Sequence, residues 1–259
     1  MNTVFHTCIR PDARIITIVG AGGKTSLMFL LAHEFQKRAI PVITSTTTRI
    51  LHPTPEQSSC VLLHDGKEKT SARLAQKLSD TGHVTLAQGA LPGGKLAGLP
   101  PVVLEEIFAA SPAERLIIEG DGARTFPLKA PGKNEPVVPL STDIFLAVAG
   151  LDCIGFPLAD NTAFRPELIA SLTGHRMGEP ITATTVARLA VHPQGMLKGC
   201  PPGAGSCIFL NKIDTTDGME KARQVIAAAS AMQTATQPDT WLAGSVRNKA
   251  FFILENAGE

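Results

Sequence analysis

Seven consecutive residues, Gly20-Ala21-Gly22-Gly23-Lys24-Thr25-Ser26, have the types and order that hold a phosphate chain. Glycines leave backbone N–H groups free to point inward, and a helix N-terminus that follows them adds positive potential. Lys24 then neutralises β- and γ-phosphate charge, and the Thr25 hydroxyl is a ligand for Mg²⁺. The chemistry is that of a magnesium-bound nucleoside triphosphate, ATP or GTP. In the usual pattern, G-x-x-x-x-G-K-S/T, the first glycine would fall on Ile18, inside an apolar run. The loop here is the shorter G-x-x-G-K-T. The competing reading is a tight strand-to-helix turn with a capping threonine.

A second group, Glu119-Gly120-Asp121-Gly122, follows the apolar run Leu116-Ile117-Ile118. An acid at the carboxyl end of a buried strand is what a Walker B site needs to hold Mg²⁺, directly or through water. Glu119 and Asp121 both qualify as metal ligands and, with Lys24 and Thr25, as catalytic residues; the sequence does not rank them. A third group, Asn211-Lys212-Ile213-Asp214, matches N-K-x-D, the guanine-reading pattern of GTPases. Asp214 would accept from guanine's ring N–H and amino group, Lys212 would pack along the base, and Asn211 would fix the loop. Ala243-Gly244-Ser245-Val246 stands where a second base-contacting loop belongs. The same quartet also serves as a helix-capping turn. The short phosphate loop resembles the ATP loop of the Mur ligases and so points to ATP, the quartet points to GTP, and both stay open.

Two further stretches offer contacts to a second, anionic substrate or to the γ-phosphate. Thr47 and Arg49 lie in Thr44-Ser45-Thr46-Thr47-Thr48-Arg49, and Arg124 and Lys129 lie in a basic segment just after the acidic strand end. Hydroxyls and guanidinium groups suit phosphate oxygens. Plain β-propensity of threonine and a solvated basic loop are the rival readings.

These groups need a scaffold that brings strand ends together. Strand patterns at 15–19, 41–45, 83–88, 115–118, 144–148, 207–210 and 241–243 alternate with helical patterns at 24–38, 67–78, 102–110, 165–172, 184–191 and 218–229. Such alternation predicts an α/β fold of the P-loop NTPase type, a mostly parallel sheet flanked by helices. The stretch 89–101 reads as a long Gly/Pro-rich loop, and 192–205 as a second one. No linker composition separates the chain, so a single domain over 1–259 is expected, with a helical insertion around 155–195.

Composition narrows the function classes. A net charge of +1 predicts neither nucleic acid nor an anionic membrane as partner. The absence of tyrosine and a single tryptophan argue against base-stacking platforms. No run approaches the length of a membrane span, and residues 1–12 lack the regions of a signal peptide. Five dispersed cysteines, none in C-x-x-C, predict reduced thiols and a cytoplasmic protein.

Taken in order, V-G-A-G-G-K-T-S, T-S-T-T-T-R, G-K-L-A-G-L-P, E-G-D-G-A-R-x-x-P-L-K-A-P, Asn134-Glu135-Pro136, H-P-x-G-x-x-K-G and L-N-K-I-D resemble the selenium-dependent hydroxylase accessory proteins, the YqeC family. The resemblance runs from about Val19 to Asp214, and its most specific part is the E-G-D-G-A-R block. It implies a role in maturation of a selenium-dependent molybdenum hydroxylase, with that enzyme or its cofactor as partner. The residues themselves imply nucleotide binding, with hydrolysis, phosphoryl transfer or nucleotide-gated client binding as the alternatives.

Overall fold

The structure, a computed structural model, describes residues 9–232, 234 and 236–254. The first half holds β1 (Ile15–Gly20), α1 (Lys24–Gln36), β2 (Val42–Thr46), β3 (Arg49–Leu51), β4 (Val61–Leu63), α2 (Lys67–Thr81), β5 (His83–Ala87), β6 (Gly89–Leu91), β7 (Lys95–Ala97), α3 (Pro101–Ala109) and β8 (Arg115–Glu119). The second holds β9 (Leu128–Lys129), β10 (Ile144–Gly150), β11 (Ala163–Phe164), α4 (Pro166–Thr173), α5 (Ala183–Val191), β12 (Gly205–Asn211), α6 (Gly218–Ser230), β13 (Thr240–Ser245) and β14 (Ala250–Leu254). Nine strands form one sheet in the order β14-β13-β12-β10-β1-β8-β2-β5-β4. Its neighbours pair in parallel, apart from antiparallel β13 and β14.

Alternation along the strands divides the core between two faces. Ile16, Ile18, Leu146, Val148, Phe209 and Leu242 pack beneath α1. On the opposite face, Ile15, Ile43, Leu116 and Val84 meet α2 and α3 through Leu74, Leu78, Leu104 and Ile107. Further along that face, Phe145, Ile208 and Trp241 meet α4, α5 and α6 through Ile169, Val186, Leu189 and Val225. The helices at 166–173 and 183–191 therefore share a core with the sheet itself. Their sequence fits: Thr182 and Thr185 close a reciprocal capping box at the start of α5.

The sheet order decides which loops meet. Strand β8 lies between β1 and β2, with Glu119 in register with both Ile18 and Thr46. The Thr44–Arg49 segment is thus one strand further from the phosphate loop than a β1–β2 neighbour would be. On the other side Gly20 pairs with Val148, Gly150 with Asn211, and Asn211 with Gly244. The carboxyl ends of five parallel strands so converge on Gly20. Parallel sheets bind ligands at that edge.

Three parts of the sequence reading are corrected. The segment expected as a loop over 89–101 contains β6 and β7, which join β3 in a small antiparallel sheet. A side chain at Gly98 would collide there with the Thr46–Thr48 backbone, so glycine is required for close approach. Strand β14 was also not anticipated; Phe251 packs its ring 5.6 Å from Phe209 while Phe252 stays exposed. Strand β4 is a short edge of three residues. Of the cysteines, Cys60, Cys153, Cys200 and Cys207 form no disulfide among the described residues, and Cys8 lies outside them.

Candidate nucleotide site

Strand β1 ends in a turn that only glycine adopts without strain: φ is +94° at Gly20, +78° at Gly22 and +127° at Gly23. A Cβ on Gly22 would run into the Gly150 backbone. The loop is fastened from several sides. Ala21 N–H donates to Val148 O at 2.8 Å, and Gly22 N–H to Phe126 O at 3.0 Å. Gly20 N–H meets both carboxylate oxygens of Asp121 at 3.1 Å. Beyond Gly22 the pattern changes. The first bond of α1 runs from Leu27 N–H to Gly23 O at 3.0 Å, and among the described residues the N–H groups of Gly23, Lys24, Thr25 and Ser26 have no acceptor. Four consecutive free donors at a helix N-terminus form an anion site.

Charged side chains surround this cradle. Lys24 is 4% exposed, with Nζ donating to Gly20 O at 2.7 Å. It also lies 3.3 Å from Asp121 Oδ1 and 3.6 Å from Glu119 Oε1. Thr25 Oγ1 donates to Glu119 Oε2 at 2.6 Å. Of the two acids, Glu119 faces the threonine hydroxyl and Asp121 faces the Gly20 N–H. Burial pushes the Glu119 carboxyl up, against the opposing pull of Lys24 and the Thr25 hydroxyl. A hydroxyl and one carboxylate beside a phosphate cradle fit Mg²⁺, which takes few protein ligands and keeps waters and phosphate oxygens. No cluster of three or more His, Cys, Asp or Glu residues suited to a metal occurs among the described residues.

The basic segment splits in two. Lys129 is buried, and its ammonium donates to Asp121 Oδ2 at 2.7 Å, Gly122 O at 2.8 Å and Glu135 Oε2 at 2.8 Å. Those three bonds use every donor it has, so it has none left for a second substrate. Arg124, by contrast, is exposed, in a left-handed conformation with φ +48°, and lies 5.2 Å over the Phe164 ring. Its loop is tied to the phosphate loop through the Phe126 carbonyl. Glu135 and Arg165, absent from the sequence-based candidates, complete the network as a fork at 2.6 and 3.0 Å. Burial raises the Glu135 carboxyl, but Arg165 and Lys129 outweigh it and bring it down to about 2. Thirty residues separate these partners, so no local spacing announces them.

On the other side, Asn211 is buried and bridges two loops. Its Nδ2 donates to Gly22 O at 2.7 Å, and its Oδ1 accepts from Val246 N–H at 3.1 Å. Lys212 pairs with Asp152 at 2.7 Å and stays partly exposed. Asp214 is exposed, with no hydrogen-bond partner among the described residues. Ile213 N–H donates to Gly244 O, which joins the quartet to the β13 end.

The threonine run is mostly structural. Thr44 bonds His83 and Thr85, and Ser45 bonds Leu86 O, all inside the sheet. Thr46 Oγ1 donates to Glu119 O, and Thr47 Oγ1 to Val137 O at 2.7 Å, so both brace the strand end that carries the acid. Arg49 projects exposed from β3.

A family model described as YqeC protein matches residues 16–167. An Escherichia coli (strain K12) protein named "Uncharacterized protein YqeC" is 30% identical over 231 residues, covering 88% of this chain and 86% of its own length. The chain belongs to the YqeC family. The family match spans the phosphate loop, the Glu119–Asp121 strand end and the Lys129–Arg165 network; Asn211 and Asp214 lie beyond it but within the described fold. Two solved structures of the signal recognition particle receptor FtsY from Elizabethkingia anophelis, one in complex with GDP, are also similar. They are 14% and 13% identical, cover 86% of this chain, and have TM-scores of 0.29. The chain spans 46% and 49% of those receptors. Among the described residues no helix is long and apolar enough to cross a membrane.

Proposed function

We propose that this protein binds a magnesium-bound nucleoside triphosphate and couples its occupancy or turnover to a partner. The observation that carries this reading is the row of free N–H groups from Gly23 to Ser26, set beside buried Lys24 and the Thr25–Glu119 pair. In this reading the free amides and Lys24 hold the phosphates, and Thr25 and Glu119 hold Mg²⁺. The bound ion would neutralise phosphate charge that builds as a phosphoryl bond breaks. The protein's own part is to aim the amides and Lys24 at the phosphates and to exclude water with the loops fastened at Phe126 and Asn211.

The base is read as guanine. Asn211 locks its loop to Gly22, and Asp214, three residues on, carries an exposed carboxylate with no hydrogen-bond partner among the described residues. An unpaired carboxylate accepts two donors side by side, the pattern that guanine offers and adenine does not. Exposed Arg124 and Arg49 supply positive charge for an anionic second substrate or the γ-phosphate. The family resemblance supports a place in maturation of a selenium-dependent molybdenum hydroxylase, with nucleotide state governing the grip on that client or its cofactor. Calorimetric titration with Mg-GTP and Mg-ATP tests the base assignment. Selective GTP binding is expected; selective ATP binding would reduce Asn211–Asp214 to a structural loop and favour Mur-like phosphotransfer.

A further inference from the structure

The placement of Lys129 has a consequence for how Lys24 is released to its ligand. Lys24 lies between two carboxylates, Glu119 and Asp121, that are 5% and 1% exposed. To meet phosphates, its ammonium must turn away from both. A buried carboxylate that loses its cation carries a large desolvation cost, so each needs a substitute. Glu119 has one in the Mg²⁺ that it and Thr25 would hold. Asp121 points elsewhere, to the Gly20 N–H and to Lys129, whose side chain is 1% exposed.

We propose that Lys129 is a positioning residue for the phosphate loop: it supplies the charge that lets Asp121 part with Lys24, and keeps Asp121 seated on the Gly20 N–H. The inference rests on the triphosphate reading given above. Lys129 is itself held in place from the far side. Glu135 accepts from it at 2.8 Å and is clamped by the Arg165 fork, and Arg165 Nη1 also donates to Ala130 O at 3.1 Å. Asp121 therefore cannot drift after Lys24 without breaking a chain of ion pairs that is buried at Lys129 and part-buried at Glu135 and Arg165, just before α4. Without Lys129, Asp121 would keep Lys24 as its sole cation, and triphosphate would have to compete with that pair.

The test uses Lys129→Met and the double variant Lys129→Met/Asp121→Asn, titrated calorimetrically with the triphosphate that the wild type prefers, alongside thermal melts. Asparagine keeps an acceptor for the Gly20 N–H but carries no charge to retain Lys24. Folded Lys129→Met is expected to bind at least ~10-fold more weakly, as for a buried charge left unpaired, and the double variant to return to within ~3-fold of wild type. A folded Lys129→Met with wild-type affinity overturns the proposal, as does a folded double variant no tighter than the single one. If Lys129→Met does not fold, the neutral double variant decides alone: near-wild-type binding supports the proposal, and weak binding or failure to fold refutes it. A wild type that binds no triphosphate refutes the underlying reading as well, whereas binding that is intact in Lys129→Met refutes only the role of Lys129.

Discussion

The proposed phosphate end and the proposed base end of the candidate site are built on opposite plans. At the phosphate end, Lys24, Glu119, Asp121 and Lys129 are all buried and all paired with one another or with the loop backbone. At the base end one side chain, Asn211, is buried and bonded, while Lys212 is partly exposed and Asp214 is open to solvent. At the phosphate end the charges stabilise each other before any ligand arrives. The base end offers a bare carboxylate on an anchored loop. Changes at the first should therefore disturb folding and binding together, and changes at Asp214 should alter ligand choice alone.

The sharpest way to break this contrast is at Gly22. Its φ of +78° and the close Gly150 backbone leave no room for a methyl group. Gly22→Ala is expected to cost about 3 kcal/mol or more of stability, the scale of combined backbone strain and overpacking, read by urea unfolding. A stability close to wild type would show the phosphate loop to be far more yielding than the contrast requires. Next in size is Asp214→Ala. It should weaken GTP binding roughly 10- to 100-fold, as for loss of hydrogen bonds to a charged group, and leave the melting temperature unchanged. A fall in melting temperature would place Asp214 with the structural residues.

A smaller effect concerns acid stability. The Glu135 carboxyl is brought down to about 2 from 4.5. A lowered carboxylate stabilises the folded state above its unfolded value, and that contribution fades as pH falls from about 4.5 toward 2. Glu135→Gln should therefore flatten the acid limb of stability against pH in that window, measured as the urea midpoint at a series of pH values. An acid limb as steep as in the wild type would place the acid sensitivity elsewhere.

Much of the phosphate end was legible in the sequence because its demands are local. A left-handed turn needs glycine, and the lysine and threonine must follow at once. The Walker B strand end was legible for the same reason. Which of Glu119 and Asp121 faces Thr25 was not, because it depends on β8 lying between β1 and β2, pairings that set Glu119 beside Ile18 across 101 residues and beside Thr46 across 73, with no trace in local spacing. Lys129 read as a substrate-binding cation of a basic loop, since its neighbours in sequence include Arg124 and Lys133; in the fold it is buried and bonded to Asp121, Gly122 and Glu135. Strands β6, β7 and β4 escaped notice because three residues, some of them glycine, are too few for a period-two pattern to register. Asn211 was legible as a motif, but its bond to Gly22 spans 189 residues and only the folded chain reveals it.

The most direct test of the central claim compares wild type and Lys24→Ala by calorimetric titration with Mg-GTP and Mg-ATP, with circular dichroism on both. The account predicts saturable triphosphate binding by the wild type, and a loss of about 100-fold or more in a folded Lys24→Ala, the scale of removing a buried charge from an ionic contact. Equal affinity in the two folded proteins would contradict it, because the Gly20–Ser26 loop would then not be where the phosphates bind.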